Sequence, residues 1–396
     1  MIYALSLILV GCLIGTITGL APGIHVNTVC LIGLSLYPKL GLSATDFGVV
    51  MVSVAVTQKF IDFIPSIFIG VPEEETALSI LPAHRLVREG NAMEALRLTA
   101  YGSLLGVVYS LLFLIPVLYI VPLLYQTLRN TIMYVVMAAV AVLIIREKNK
   151  TYALITFALS GCLGVVALNL TILSPTEVLF PLFSGLFGFS TILVSLKDKT
   201  AHIPQKEDIS VPLGKNILTS SLVGSLCGIG VGLLPSMSPS QVGILAYDVL
   251  GSNLRGFLVS VAAINTSDAI YSLVSLYTIN NPRSGVAAML GQIMTIDFPT
   301  LLVFVGTAAF SALIATLLYL WLGTIAFRFV QKIDYTKLNI AIVALMLSLI
   351  YVMTGLIGVL LAVLATAIGV IPILTGVSRT HVMGLLIVPT MLYFLS

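Results

Sequence analysis

The few ionisable residues of this chain stand where apolar sequence surrounds them. Lys59 and Asp62 lie three residues apart inside the apolar run 45–70, a spacing that puts both on one helix face. Asp268 lies in the run 256–278 and follows Asn265, Thr266 and Ser267. Isolated ionisable groups in membrane segments mark ion or substrate paths. Two readings of Lys59 and Asp62 stand side by side. They neutralise each other, or Asp62 binds a coupling proton or sodium ion and Asp268 does the same in the other half of the chain. Gln58, Asn265, Thr266 and Ser267 would then supply neutral oxygens to sodium.

Four further stretches interrupt the apolar runs with polar residues, and they form two pairs. Pro22, Gly23, His25, Asn27 and Thr28 correspond to Pro235, Ser236, Ser238 and Ser240. Proline breaks a helix, and Asn or Ser starts the next one well. An exposed helix start offers free N–H groups and partial positive charge, which suits a carboxylate or phosphate. The competing reading is a self-capped structural kink. The second pair sets Glu73, Glu74, Glu75 and Thr76 against Asn280, Asn281, Arg283 and Ser284, each at the tip of an expected helical hairpin. Within the membrane the glutamates would face a polar cavity or a cation, and at the surface they would cap a helix. Arg283 is the best single anion contact, because its guanidinium grips carboxylate or phosphate as a fork.

Other chemistries find no support. There is no phosphate-loop or HExxH pattern. The four cysteines (Cys12, Cys30, Cys162, Cys227) are scattered in apolar stretches and read as small buried residues, with neither disulfides nor a metal site. A membrane enzyme would need His25 paired with Ser238 or Ser240, so the chain is expected not to be an enzyme. No cofactor is expected beyond a coupling H+ or Na+.

These residues need a scaffold, and composition says which. Of 396 residues, 59% are hydrophobic and 9% charged, against about 25% charged in a soluble domain. Mean hydropathy is +1.12. Lipid must cover much of this surface. The net charge of +3 and short basic clusters are a topology signal, not a nucleic-acid footprint. The run from Met1 to Leu20 lacks a basic start and a cleavage site, so it reads as the first membrane helix. The expected fold is an all-α polytopic membrane protein with about 12–14 membrane segments, broken helices and hairpins.

The chain also repeats. Gly11, Gly15, Gly19 and Pro22 match Gly224, Gly228, Gly232 and Pro235 at one offset. Such glycine stripes let another helix approach closely. ValSerValAla at 52–55 recurs at 259–262, each copy followed by an aspartate, Asp62 or Asp268. The expected units are a first repeat (1–196), a cytoplasmic linker (197–213) and a second repeat (214–396). Basic residues gather at 84–97, 146–150, 197–215 and 328–337, whereas their repeat counterparts do not. The positive-inside rule puts these loops in the cytoplasm, which makes the repeats inverted and both termini external. Inverted repeats are a signature of alternating-access transporters with a site at the midplane.

At these motifs the chain resembles the large membrane subunit of the tripartite tricarboxylate transporters, in a divergent, shorter archaeal form. The resemblance covers nearly the whole chain. It rests on the twice-repeated Gly-xxx-Gly-xxx-Gly-xx-Pro pattern, on PGIHVN, and on GVPEEETALSILPAHR. It implies carboxylate uptake with a soluble binding protein and a small membrane subunit, and a substrate surrounded by 22–28, 72–77, 235–241 and 280–285. Pro235-Ser236 replaces the family's Pro-Gly, and Glu73 to Glu75 replace a hairpin that is usually neutral. Three glutamates repel a trianion unless they are protonated, paired or cation-bound.

The leading expectation is therefore a secondary transporter of an organic anion in the cytoplasmic membrane, driven by H+ or Na+. The alternative is a translocator of a polyprenyl-phosphate lipid carrier, whose headgroup the same helix starts and Arg283 would suit. Expected partners are membrane lipid, the small anionic solute or phosphate headgroup, and a small membrane subunit or further copies of the chain, with no nucleic acid.

Overall fold

The computed structural model describes residues 2–21, 26–68, 83, 85–87, 89–128, 131–173, 175–195, 206, 209–232, 239, 242–243, 253–330 and 335–395. Those residues form helices and turns, with no strand among them. In chain order the helices are α1 (Ile2–Leu20), α2 (Val26–Leu40), α3 (Ala44–Ile61), α4 (Phe63–Phe68), α5 (Ala92–Leu112), α6 (Leu114–Leu128), α7 (Ile132–Arg146) and α8 (Lys150–Leu168). Then come α9 (Pro175–Phe183), a π-helix (Ser184–Phe189), α10 (Ser190–Ser195), α11 (Lys215–Val231), α12 (Leu254–Ile279), α13 (Gly285–Ile293), α14 (Phe298–Val330) and α15 (Tyr335–Thr375). A 3-10 turn (Arg379–Met383) leads into α16 (Gly384–Leu395).

Eight helical stretches among the described residues are long and apolar enough to cross a membrane. The chain is an all-α polytopic membrane protein. The difference from the 12–14 expected segments has local causes. Helices α2, α7 and α16 are shorter than a full span, and most of 237–251 lies outside the described residues. The expected segment 98–125 is two helices that meet at Phe113. The break expected near 355–358 is real: Gly355 has φ 64° and ψ −159° inside α15, a conformation that only glycine takes without strain.

The glycine stripes do what their spacing requires. A side-chain carbon on Gly11 or Gly15 would stand 2.5 Å from the carbonyl of Val50 or Val54, so α1 lies directly on α3. Gly224 faces Ser260 and Ala263, Gly228 faces Ile264 and Ser267, and Gly232 faces Tyr271, so α11 lies on α12 in the same manner. In each pair the two helices run parallel. These contacts set the register differently from the ValSerValAla match. Val50 and Ser53 take the places of Ser260 and Ala263, which puts Gln58 opposite Asp268 and Asp62 opposite Ser272 in packing terms.

A third helix joins each pair, and it comes from the other half. Gly102 and Gly106 of α5 lie against Val259, Ala262, Ala263 and Thr266, so α5 runs parallel to α12. Phe304 of α14 covers Gly48, and Cys12 reaches both Thr57 and Ser311, so α14 runs with α1 and α3. The two triads oppose each other. Leu96 of α5 packs on Gly323 of α14, and the Thr99 and Tyr319 hydroxyls meet at 2.7 Å. The starts of α5, α11 and α12 therefore lie at the end of the molecule where α14 finishes. There Lys206 and Ile209 lie along the start of α5: the Lys206 N–H donates to Gly90 O at 2.9 Å, and Arg97 donates to Ile209 O. Arg97, Lys206, Lys215, Arg255 and Arg328 all gather at that end.

A second apolar cluster joins α8, the π-helix, α12, α15 and the chain's last turns through Leu163, Leu186, Phe187, Ala365 and Leu385. Among the cysteines, Cys12 and Cys30 are buried as expected, but Cys162 is exposed on α8. Its neighbours Leu159 and Val166 are exposed as well, so this is an apolar surface suited to lipid rather than a packed interior.

Candidate functional site

The polar residues of α3 and α12 meet where the two triads face each other. Lys59 is only 3% exposed and Asp268 only 6%. The Lys59 ammonium donates to Asn265 Oδ1 at 2.8 Å and stands 3.6 Å from Asp268 Oδ2. Asn265 returns a bond from Nδ2 to the Lys59 carbonyl at 3.4 Å. Ser272 donates to Asp268 Oδ1 at 3.2 Å. Lys59 therefore reaches across to the other half, a partner that the same-face reading with Asp62 did not supply. Charge buried this deeply is tolerated only when paired and hydrogen-bonded.

The other expected ion-coupling residues divide. Asp62 is buried and ends α3, its N–H donating to Gln58 O. Gln58 accepts from Thr18 of α1 at 3.2 Å. Thr266 gives its hydroxyl to the Ser103 carbonyl of α5 at 2.8 Å, so it ties two helices together. Ser103 and Ser272 carried no signal of their own, since serine is common in membrane helices.

A second group forms beside this one. Gly33 faces Met51 and Phe47, and the Tyr37 ring lies 4.8 Å from that of Phe47, so α2 runs against α3. Gly285, at the start of α13, touches Asn27, at the start of α2, and Leu290 reaches Gly48. Helix α13 thus runs alongside α2 in the same direction, and two helix starts stand next to each other. Gly291 lies against Leu276, which sets the start of α13 at the depth of Asp268 and Ser272 rather than at the end of α12.

Sequence explains how this return is made. Asn280 takes the left-handed conformation (φ 48°, ψ 36°), and its N–H bonds back to Ser275 and Leu276. Asparagine tolerates that region and ends helices well. Ser284 then caps α13, accepting from Ala287 N at 3.2 Å. The expected hairpin tip is therefore a long helix, an extended return through Asn281 and Arg283, and one short helix that starts inside the molecule. Arg283 is half-buried beside that start. Its Nε is buried without a hydrogen-bond partner. Adjacent helix starts and a guanidinium with a free donor are groups whose chemistry suits a carboxylate or phosphate.

Pro22, Gly23, His25, Glu73, Glu74, Glu75, Thr76, Ser236, Ser238 and Ser240 lie outside the described residues, and of Thr28 only the backbone, inside α2, is described. No group of three or more metal-type side chains occurs among the described residues.

One buried residue had no sequence signal. Arg379 donates to Thr191 Oγ1 (2.8 Å), Leu186 O (2.9 Å), Phe187 O (3.1 Å) and Ser190 Oγ (2.6 Å), and lies 5.1 Å over the Phe187 ring. It binds two carbonyls of the π-helix that also accept from the Ser190 and Thr191 hydroxyls.

Comparison with known proteins fits this arrangement. Residues 5–384 match the tripartite tricarboxylate transporter TctA family. An uncharacterized protein of Methanocaldococcus jannaschii is 32% identical over 415 aligned positions that span all of both chains. No solved structure matches. With the family matched over nearly its whole length, the chain belongs to the tripartite tricarboxylate transporter TctA family, a family of membrane transport components.

Proposed function

We propose that this chain is the large membrane subunit of a secondary transporter that moves an organic anion, a carboxylate, across the cytoplasmic membrane by alternating access coupled to H+ or Na+. The observation that carries the reading is the meeting of the α2 and α13 starts at Asn27 and Gly285, with Arg283 beside them. Two adjacent helix starts and a guanidinium inside a membrane domain favour a negatively charged ligand. The opposite run of the two triads supports an inverted duplication, the arrangement used for alternating access. The gathering of Arg97, Lys206, Lys215, Arg255 and Arg328 at one end supports a cytoplasmic location for that end and an external N-terminus. Lys59, Asp62, Asn265, Thr266 and Asp268 are the candidates for ion coupling. A small membrane subunit and a soluble binding protein are the partners that the family suggests, and the exposed apolar face of α1 (Leu5, Leu9, Leu13, Ile17) suits lipid or that subunit.

The test is uptake of labelled citrate, and of a panel of other carboxylates, into proteoliposomes, with and without a small membrane subunit and a soluble binding protein of the family. Uptake of one carboxylate that Arg283→Ala abolishes supports the reading. Protection from unfolding by a polyprenyl phosphate, with no carboxylate transported, would replace it with the lipid-carrier alternative.

A further inference from the structure

A cation held between Asn265 Oδ1 and Asp268 Oδ2 is what a metal-coupled transporter would need at this depth. Here that place is already filled. The Lys59 ammonium sits 2.8 Å from the amide oxygen and 3.6 Å from the carboxylate. Ser272 and the Lys59 carbonyl hold the acceptors from behind. Sodium and an ammonium compete for the same oxygens, since both are compact monocations that prefer oxygen partners. The covalent tether gives Lys59 a high local concentration that a free ion cannot match.

We propose that Lys59 is a tethered cation that occupies the midplane cation site of this chain, so that sodium does not bind there and the lysine itself supplies the positive charge facing the transported anion. Protonation of the Asp268 carboxylate would leave it neutral and leave Lys59 with its own proton and its charge. The Lys59–Asp268 pair then carries one net positive charge in place of none, which offsets one negative charge of the substrate. The charged groups around Lys59 allow this exchange. Asp62 shares its helix, Asp268 faces it from α12, and Arg283 stands just before the start of α13 at a similar depth. Helix α1 carries no charged residue, α14 carries only Arg328 near its far end, and α5 carries only Glu94 and Arg97 near its start.

The coupling part of this inference rests on the transporter reading, but occupancy of the site by lysine does not. The purified protein is melted in sodium chloride and in N-methyl-D-glucamine chloride at matched ionic strength, as wild type, Lys59→Ala, Asp268→Asn and the double variant. Wild type is expected to melt at the same temperature in both salts. Lys59→Ala is expected to melt several degrees higher in sodium, saturably, because a ligand of the folded state raises stability by mass action. Ethylammonium chloride should stabilise Lys59→Ala likewise, and both effects should vanish in the double variant. A saturable sodium effect in wild type that Asp268→Asn removes would overturn the proposal, as would a folded Lys59→Ala that answers to neither cation. Should Lys59→Ala fail to fold, wild type and Asp268→Asn still decide: equal melting of wild type in the two salts upholds exclusion of sodium. Absence of citrate transport would leave this outcome intact, so the two readings fail separately.

Discussion

Lys59 and Asn265 stand 206 positions apart in sequence, and the lysine ammonium lies 2.8 Å from the asparagine's amide oxygen. The bond joins a helix of the first half to a helix of the second, with Asp268 one turn further along α12. A buried charge pair linking two bundles couples their packing. Removing one partner strands the other in a low-dielectric interior.

Lys59→Ala or Asp268→Asn alone should therefore destabilise the protein by roughly 3–5 kcal/mol. Lys59→Met combined with Asp268→Leu should cost much less than the two single changes together, because no charge is left unpaired. Denaturant titration in detergent would measure both. Additive losses would mean that the pair does not act as a unit.

Gly106 allows α5 to reach the backbone of α12: a side-chain carbon there would lie 2.6 Å from the Ala263 carbonyl and 2.6 Å from Thr266 Oγ1. Gly106→Ala should cost about 1–3 kcal/mol through overpacking. Gly230→Ala, where nothing lies within 4 Å, should be neutral. The contrast is read as a difference in melting temperature, and equal effects would argue against close contact of α5 with α12.

Gly285 leaves no room for a side chain against Asn27. Gly285→Ala should push α2 and α13 apart and abolish carboxylate uptake while the protein remains folded. Gly291→Ala meets only the mobile tip of Leu276, at 3.1 Å, and should retain uptake. Normal uptake by Gly285→Ala would remove the paired helix starts from the proposed site.

His381 is buried with Nε2 3.2 Å from Glu147 Oε1. Burial lowers its pKa below 6.5 and outweighs the opposing pull of Glu147. The unfolded ring takes up its proton first as pH falls. This contribution to stability is therefore whole above pH 6.5 and declines below it, until the folded ring also titrates. Melting curves from neutral to acidic pH should show that decline, and His381→Asn should reduce it. An unchanged slope in the variant would assign the acid sensitivity elsewhere.

Much of this was legible in the residues themselves. Composition dictates a membrane protein, since 59% apolar residues cannot be hidden in a soluble core. Glycines spaced by four announce close helix contacts, and these are found at Gly11, Gly15, Gly224 and Gly228. Gly355 and Asn280 mark breaks because few other residues accept a positive φ. These signals are local, carried by composition, period and backbone preference. Partner choice is not local. Lys59 could be placed on a helix face with Asp62, but its bond to Asn265 depends on which helices lie next to each other. The register of α12 on α11, the crossing of α5 and α14 into opposite halves, and the meeting of Asn27 with Gly285 depend likewise on long-range packing. Arg379 was silent in sequence because its acceptors are two backbone carbonyls and two ordinary hydroxyls, Ser190 and Thr191, 189 and 188 positions away. Tertiary structure decided these because interhelical contacts pair residues by depth and direction in the bundle, and sequence separation carries neither.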